Sequence, residues 1–484
     1  LIYERLFAED HRVSGMFLYS VRSKSKNRPL NYIDAYPTKN MGIAGRFTYA
    51  FRDKYFAEFN FGYNGSENFA PGKRYGFFPS YAVGYMISNE KFWEPLRDKI
   101  NILKIRASYG KIGNDEIGGS RRFAYNTTMN TNAGGFLFGD LGQTSLPGYS
   151  TGEYGNPYKR ANVDRRLFNK IKIQADYFYE KREGIFIQRE STPSVVGTKT
   201  AQWVNLGRMK NQGFDMSLEF DHSFNKDFSI SARGNFTYNR NKKLYDDKPD
   251  QIWKYQNLAG FANNQQFGLI AEGLFESEED IANWPKQDFG TVRPGDIKYR
   301  DVNGDGVVNT FDKVAIGYTL VPEINYGFGA SLKWKGIDVS VFFSGVGHVT
   351  RIIQGQNLFG ASSTILRMGQ IFEDVAKNRW TLDNQNPNAP YPRLSLNKVD
   401  NNQQLSTYWQ RDMSFLRLKD AEIGYTLPES MTKKWGLSKI RFYIQGKNLV
   451  TFSDFKLWDP EVNANYGNVY PLIRTFAIGA NVNF

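Results

Sequence analysis

The stretch Tyr470–Phe484, YPLIRTFAIGANVNF, limits the fold more than any other. Phe476, Ile478, Ala480, Val482 and Phe484 fall on one face of an extended strand. Thr475, Ala477, Gly479, Asn481 and Asn483 fall on the other, because side chains alternate across a strand with period two. An apolar face of this kind has to be covered by a core or by lipid. A closed outer-membrane barrel offers lipid outside and a polar interior. A soluble sandwich offers a core, and this strand alone leaves both open.

The pattern recurs along the chain. Gly45, Phe47, Tyr49 and Phe51 alternate with Arg46, Thr48 and Ala50, and Tyr55, Ala57, Phe59, Phe61 and Tyr63 follow after a turn at 52–54. Ile324, Tyr326, Phe328, Ala330, Leu332 and Trp334 turn at Lys335–Gly336 into Ile337, Val339, Val341 and Phe343. Within Phe415–Leu427 the apolar face slips from Leu416 and Leu418 to Ala421, Ile423 and Tyr425, which predicts a β-bulge at Lys419–Asp420. Turns are short at 9–11, 52–54, 225–227 and 335–336, whereas polar insertions occupy 111–165, 240–320 and 349–411, the last with a short helix expected within 364–380. Short turns at one end and long loops at the other are the asymmetry of an outer-membrane barrel. The alternation predicts an all-β, antiparallel transmembrane barrel with roughly 14–16 strands in this chain.

Composition narrows the classes further. A chain of 484 residues exceeds what one soluble core usually holds. Its 29 Tyr and 38 Phe suit aromatic girdles at two membrane interfaces. Mean hydropathy is −0.54 and no long apolar run occurs, so a membrane-spanning helix is excluded but a barrel is not. Cysteine is absent, which removes disulfide frameworks and thiol sites. The net charge of +13 is spread along the chain. Nucleic-acid binding would need a compact basic stripe, so a basic lumen or a contact with an anionic surface is expected instead.

One motif carries metal chemistry. Asp301, Asn303 and Asp305 place oxygens at positions one, three and five of an EF-hand-like loop, with Gly306 at the sharp turn. The Val307 carbonyl, Asn309 (through water) and Asp312, in place of the usual Glu, complete the hard-oxygen set that Ca²⁺ takes. The plainer reading is a metal-free turn, since Asp, Asn and Gly favour turns anyway. Catalysis is not expected: His11, His222 and His348 are isolated, GxSxG, HExxH and P-loop motifs are missing, and Glu278–Glu279 reads as a solvated pair. Trp203, Trp253, Tyr255, Trp380, Tyr408 and Trp409 are the candidate ligand platforms. Packing inside loops and girdles is the competing role for each.

Six stretches carry a family resemblance. They are Tyr55–Trp93, Asp176–Ile187 (DYFYEKREGIFI), Asn211–Phe220 (NQGFDMSLEF), Gly295–Gly317 (GDIKYRDVNGDGVVNTFDKVAIG), Phe415–Pro428 (FLRLKDAEIGYTLP) and the closing strand. Together they resemble the SusC/RagA-like family of TonB-dependent outer-membrane transporters. The resemblance implies a roughly 22-stranded barrel around a plug domain, in the outer membrane of a Gram-negative bacterium. It also implies TonB-driven uptake of a large nutrient, an oligosaccharide or peptide, with a SusD-like lipoprotein as lid. The plug, the TonB-contacting segment and the first strands would precede Leu1, and 150–166 is short where the family places a strand. The expectation is therefore that 1–484 is the C-terminal portion of the barrel, with the plug absent from this chain and TonB reached through it. The rival readings are a structural or adhesive outer-membrane barrel and a soluble secreted carbohydrate-binding β-protein.

Overall fold

The computed structural model describes residues 1–25, 27–28, 36–114, 156–167, 170–191, 203–360, 371–462, 464–467 and 469–483. Fifteen long strands lie in chain order in one sheet. They are β1 (Ile2–Phe7), β2 (His11–Lys24), β3 (Thr38–Phe51), β4 (Tyr55–Ser66), β5 (Tyr75–Met86), β6 (Ile102–Ile112), β7 (Asn156–Leu167) and β8 (Ile171–Gln188). Then come β9 (Trp203–Ser223), β10 (Phe228–Tyr245), β11 (Ile324–Trp334), β12 (Ile337–Gly347), β13 (Phe415–Thr426), β14 (Lys439–Phe452) and β15 (Thr475–Asn483). The described residues form two compact units, 1–219 with 239–249, and 220–238 with 250–484.

In the first unit the period-two pattern becomes two chemically distinct faces. One row crosses β2 to β6 through Gly15, Phe47, Phe59, Tyr81 and Tyr109. Rings stack across strands, Phe59 on Tyr81 at 5.1 Å and Tyr63 on Tyr75 at 5.3 Å, the cross-strand contact that stabilises a sheet. Even so, Phe47 and Tyr81 remain more than half exposed. The adjacent row, Ser14, Thr48, Glu58, Ala82 and Ser108, lies on the opposite face. There Glu58 takes Arg46 at 3.0 Å and Asn60 at 2.8 Å.

The second unit repeats the division. Ile230, Leu332, Val339, Ile423, Ile444 and Ile478 form one row across β10 to β15. Ile423 and Ile444 are each 52% exposed. A soluble sandwich would bury such a row; among the described residues no segment of the unit covers it, and lipid is the solvent that suits it. The register shifts between Leu418 and Asp420, so the expected bulge is present. Lys335, at φ 46°, and Gly336, at φ 86°, make the two-residue turn from β11 to β12, the left-handed pair a tight hairpin needs.

Two parts of the fold depart from the sequence reading. β7 begins inside 111–165, which reads as loop, and runs two residues past it; charges fall on both alternating sets of NPYKRANVDRRL, which erases the period-two signal. Residues 115–155 of that insertion and 364–370 of the expected helix lie outside the described residues. A helix is found at Glu373–Asn378.

The other departure is larger. Residues 250–320 and 349–412 do not fold as two separate polar loops: they share one core. Leu269, Leu274, Ile297, Tyr299 and Val308 from the first pack with Val349, Ile353, Val375, Trp380, Tyr391 and Trp409 from the second, and with Met413 just beyond it. Leu269 N donates to Leu405 O at 2.8 Å and Thr407 N returns to Leu269 O at 3.0 Å. Inside this subdomain the short strand Ile297–Tyr299 has its backbone satisfied by side chains. Ile297 N donates to Asn402 Oδ1 at 2.9 Å, and Tyr299 N to Gln287 Oε1 at 2.6 Å. Asn401 Nδ2 donates to Ile297 O at 2.8 Å. Buried backbone groups without such partners would be costly, so these amides act as a substitute strand.

Candidate functional site

The Asp-rich loop hangs from this subdomain between the short strand Ile297–Tyr299 and the 3-10 turn Thr310–Asp312. Asp301 accepts Gly304 N at 2.7 Å and Gly306 N at 2.8 Å, and Asn303 and Asp305 cap each other's turns. Gly304 and Gly306 have φ of 74° and 85°, where a side chain would be strained. Val307 N donates to Asp305 Oδ1 at 2.9 Å. Asn309 caps the turn by accepting Phe311 N at 2.7 Å.

Asp312 is where the loop differs from the expected ligand set. It is fully buried, and its two oxygens accept Val302 N at 2.8 Å, Asn303 N at 3.4 Å and Asn309 N at 2.7 Å. An Asp is one methylene shorter than the Glu usual at this position, and here its carboxylate stays under the loop backbone as a cap. Among the described residues no group of three or more His, Cys, Asp or Glu side chains could hold a metal ion. The hard oxygens of a calcium loop are present in sequence, but in this geometry they close the loop on itself.

The aromatic candidates separate into two groups. Trp380 (4% exposed) and Trp409 (1% exposed) are core residues, which corrects their reading as ligand platforms. Trp409 Nε1 donates to Asn402 O at 2.7 Å and its ring meets Phe359 edge-on. Tyr408 packs against the same core and donates to Ala389 O at 2.7 Å. Burial pushes the Tyr408 and Tyr299 hydroxyls well above the usual phenol range, so both remain protonated donors. These residues hold the subdomain together instead of facing a ligand.

Trp253, Tyr255 and Trp203 are half-buried instead. Trp253 stacks parallel to Tyr255 at 6.2 Å. Tyr255 donates its hydroxyl to Phe311 O at 2.7 Å, and Gln256 Nε2 donates to Thr310 O at 3.0 Å. The pair is thus fastened to the end of the Asp-rich loop, a coupling invisible in the sequence because the two segments are far apart in the chain. Trp203 stacks on Phe186 at 5.1 Å, at the β8–β9 edge of the first unit. His348 stacks on Tyr318 at 4.3 Å and pairs with Glu323 at 3.2 Å.

No family model matches the chain. Curated relatives do. A TonB-dependent receptor of Formosa agariphila is 28% identical over 94% of this chain and 46% of its own length. The TonB-dependent receptor SusC of Bacteroides thetaiotaomicron is 24% identical over 93% of the chain and 44% of its own length. Among solved structures, the RagAB peptide transporter matches with a TM-score of 0.77 and 20% identity, covering 100% of this chain and 54% of that one. The chain is a homologue of TonB-dependent receptors, and its fold is that of the β-barrel of such a transporter. It spans about half the length of the curated relatives it matches. These relatives are receptors and transporters, not enzymes, and the strands belong to the outer membrane of a Gram-negative bacterium.

Proposed function

We propose that this chain forms the barrel wall and outer loop subdomain of a TonB-dependent transporter that imports a peptide or oligosaccharide. The observation that carries this reading is the likeness of the whole chain to the RagAB peptide transporter, supported by the uncovered apolar rows. The work of uptake would be done by TonB acting on a plug held inside the barrel, with a SusD-like lipoprotein closing over the long loops. The subdomain built from 250–320 and 349–412 gives that lipoprotein a folded surface to meet.

The test is native mass spectrometry of the full-length protein extracted from the outer membrane in detergent, paired with uptake assays with and without TonB. A co-purifying lipoprotein and TonB-dependent uptake are expected. A barrel that runs alone, with no TonB-dependent uptake, would favour the structural or adhesive barrel.

Calcium belongs to the same proposal. Asp301, Asn303, Asp305 and the Val307 carbonyl would hold Ca²⁺ by exchanging loop hydrogen bonds for the cation, and its hard-oxygen chemistry supports that reading. Calorimetric titration of the full-length protein with Ca²⁺ is expected to show one site, lost in Asp305→Ala. Absence of heat, with a melting temperature unchanged by chelator, would leave the loop a self-closed turn.

A further inference from the structure

The connection from β5 to β6, residues 87–101, stands at the same end of the strands as the turn at 52–54. Asn89 Nδ2 donates to Asp53 O at 2.9 Å, and Met86 N donates to Lys54 O at 2.7 Å. The connection is far longer than a hairpin needs, yet it is folded. It holds two short 3-10 turns, Ile87–Asn89 and Lys91–Leu96. Trp93 Nε1 donates to Ile100 O at 2.9 Å and Arg97 Nη2 to Ser88 O at 3.0 Å, so the segment is closed on itself.

Glu90 sets the side of the wall on which this segment lies. Tyr55 and Tyr85 pair across β4 and β5, in the same alternating set as Phe59 and Tyr81, so both belong to the apolar face. Their rings stack at 5.1 Å. The Tyr55 hydroxyl donates to Glu90 Oε1 at 2.9 Å, and Lys54 Nζ donates to the other carboxylate oxygen at 2.8 Å. A glutamate gripped by a side chain of the apolar face draws the connection toward the lipid side instead of under the polar face. There Phe92 is 66% exposed and Leu96 42%. Charges of both signs interleave with them, Lys91, Glu94, Arg97, Asp98 and Lys99, which suits a zwitterionic headgroup layer better than a surface of one sign. Trp and Tyr, each with an apolar body and a polar tip, favour the same level.

We propose that residues 87–101 form an interfacial anchor in the phospholipid leaflet at the short-turn end of the barrel. Phe92 and Leu96 enter the boundary between headgroups and acyl chains, and Lys91, Arg97 and Lys99 reach the phosphates. The proposal goes beyond the transport reading and rests on the membrane-facing apolar rows. The test places a nitroxide at Phe92→Cys or Leu96→Cys in the full-length protein, in vesicles of phosphatidylethanolamine and phosphatidylglycerol. This chain has no cysteine of its own, and any outside it is changed to serine. Tyr81→Cys, mid-strand on the apolar face, is the lipid reference, and Asp53→Cys, in the turn, is the water reference. Collision with oxygen, which favours lipid, and with a neutral nickel chelate, which favours water, gives each label's depth. Labels at 92 and 96 are expected about 5–10 Å below the headgroup surface, shallower than Tyr81, with Asp53 in water. Labels at 92 and 96 as open to nickel as the one at 53 would overturn the anchor. Shielding of both from both reagents would overturn it too, since protein would then cover the segment. A Tyr81 label in water would overturn the membrane placement of the apolar face itself, so failure of the anchor alone is told apart from failure of the barrel reading.

Discussion

Replacing Asp296 by alanine is expected to destabilise the loop subdomain by about 3–5 kcal/mol. Asp296 is fully buried. It accepts Arg293 N at 2.8 Å, Asn402 Nδ2 at 2.7 Å and Arg393 Nη2 at 2.9 Å, and the charged Arg393 Nε lies 2.8 Å from its other oxygen as an ion pair. Truncation leaves the Arg393 guanidinium, only 19% exposed, without its counter-charge, and frees Asn402 from one of the contacts that aim it at Ile297 N. Because Asn402 and Arg393 come from one insertion and Asp296 from the other, the damage falls on the seam between them. The readout is thermal melting combined with limited proteolysis of the full-length protein. Cleavage should concentrate within 250–320 and 349–412 while the strands keep their protection. In Asp296→Ala/Arg393→Met the loss should be smaller than the sum of the single losses, since the uncompensated charge is gone. A shift within about 0.5 kcal/mol would show that the seam is held by its apolar core alone.

That seam is also where sequence reasoning runs out. The strands were legible because lipid on one face and water on the other enforce strict alternation, as in Ile324–Trp334, and because a slip in that alternation can only be a bulge, as at Lys419. β7 escaped because its charges fall on both alternating sets. The subdomain escaped for a different reason: Gln287, Asn401 and Asn402 are polar residues in polar stretches, and nothing local says that their amides complete a strand, which for Asn401 and Asn402 lies more than a hundred positions away. Trp380 and Trp409 show the same limit. An aromatic in an Asn-rich loop looks alike whether it meets a ligand or a core, and only the tertiary contact with Phe359 and Asn402 decides it. The Asp-rich motif was legible as a tight loop, whereas the diversion of Asp312 to backbone amides depends on where the shorter carboxylate ends.

On the barrel wall the largest effect is expected at Ile444. It sits mid-strand in β14, between Ile423 and Ile478 in the apolar row, and Ile444→Arg should cost about 2–4 kcal/mol if that row lies near the bilayer midplane. Gln445→Arg makes the comparison decisive. Gln445 is the next residue along the strand, paired with Glu422 and Ala477 on the polar face, where an added guanidinium stays hydrated and gains an acidic neighbour. Both substitutions change the same backbone neighbourhood and add the same side chain, so propensity and size effects largely cancel between them. Urea unfolding of the full-length protein in lipid vesicles should therefore separate them by most of the membrane cost, with Gln445→Arg close to native. Equal losses would mean that both faces meet water or protein, and the apolar row would then need a protein partner to cover it. A loss larger at Gln445 would invert the assignment of the two faces.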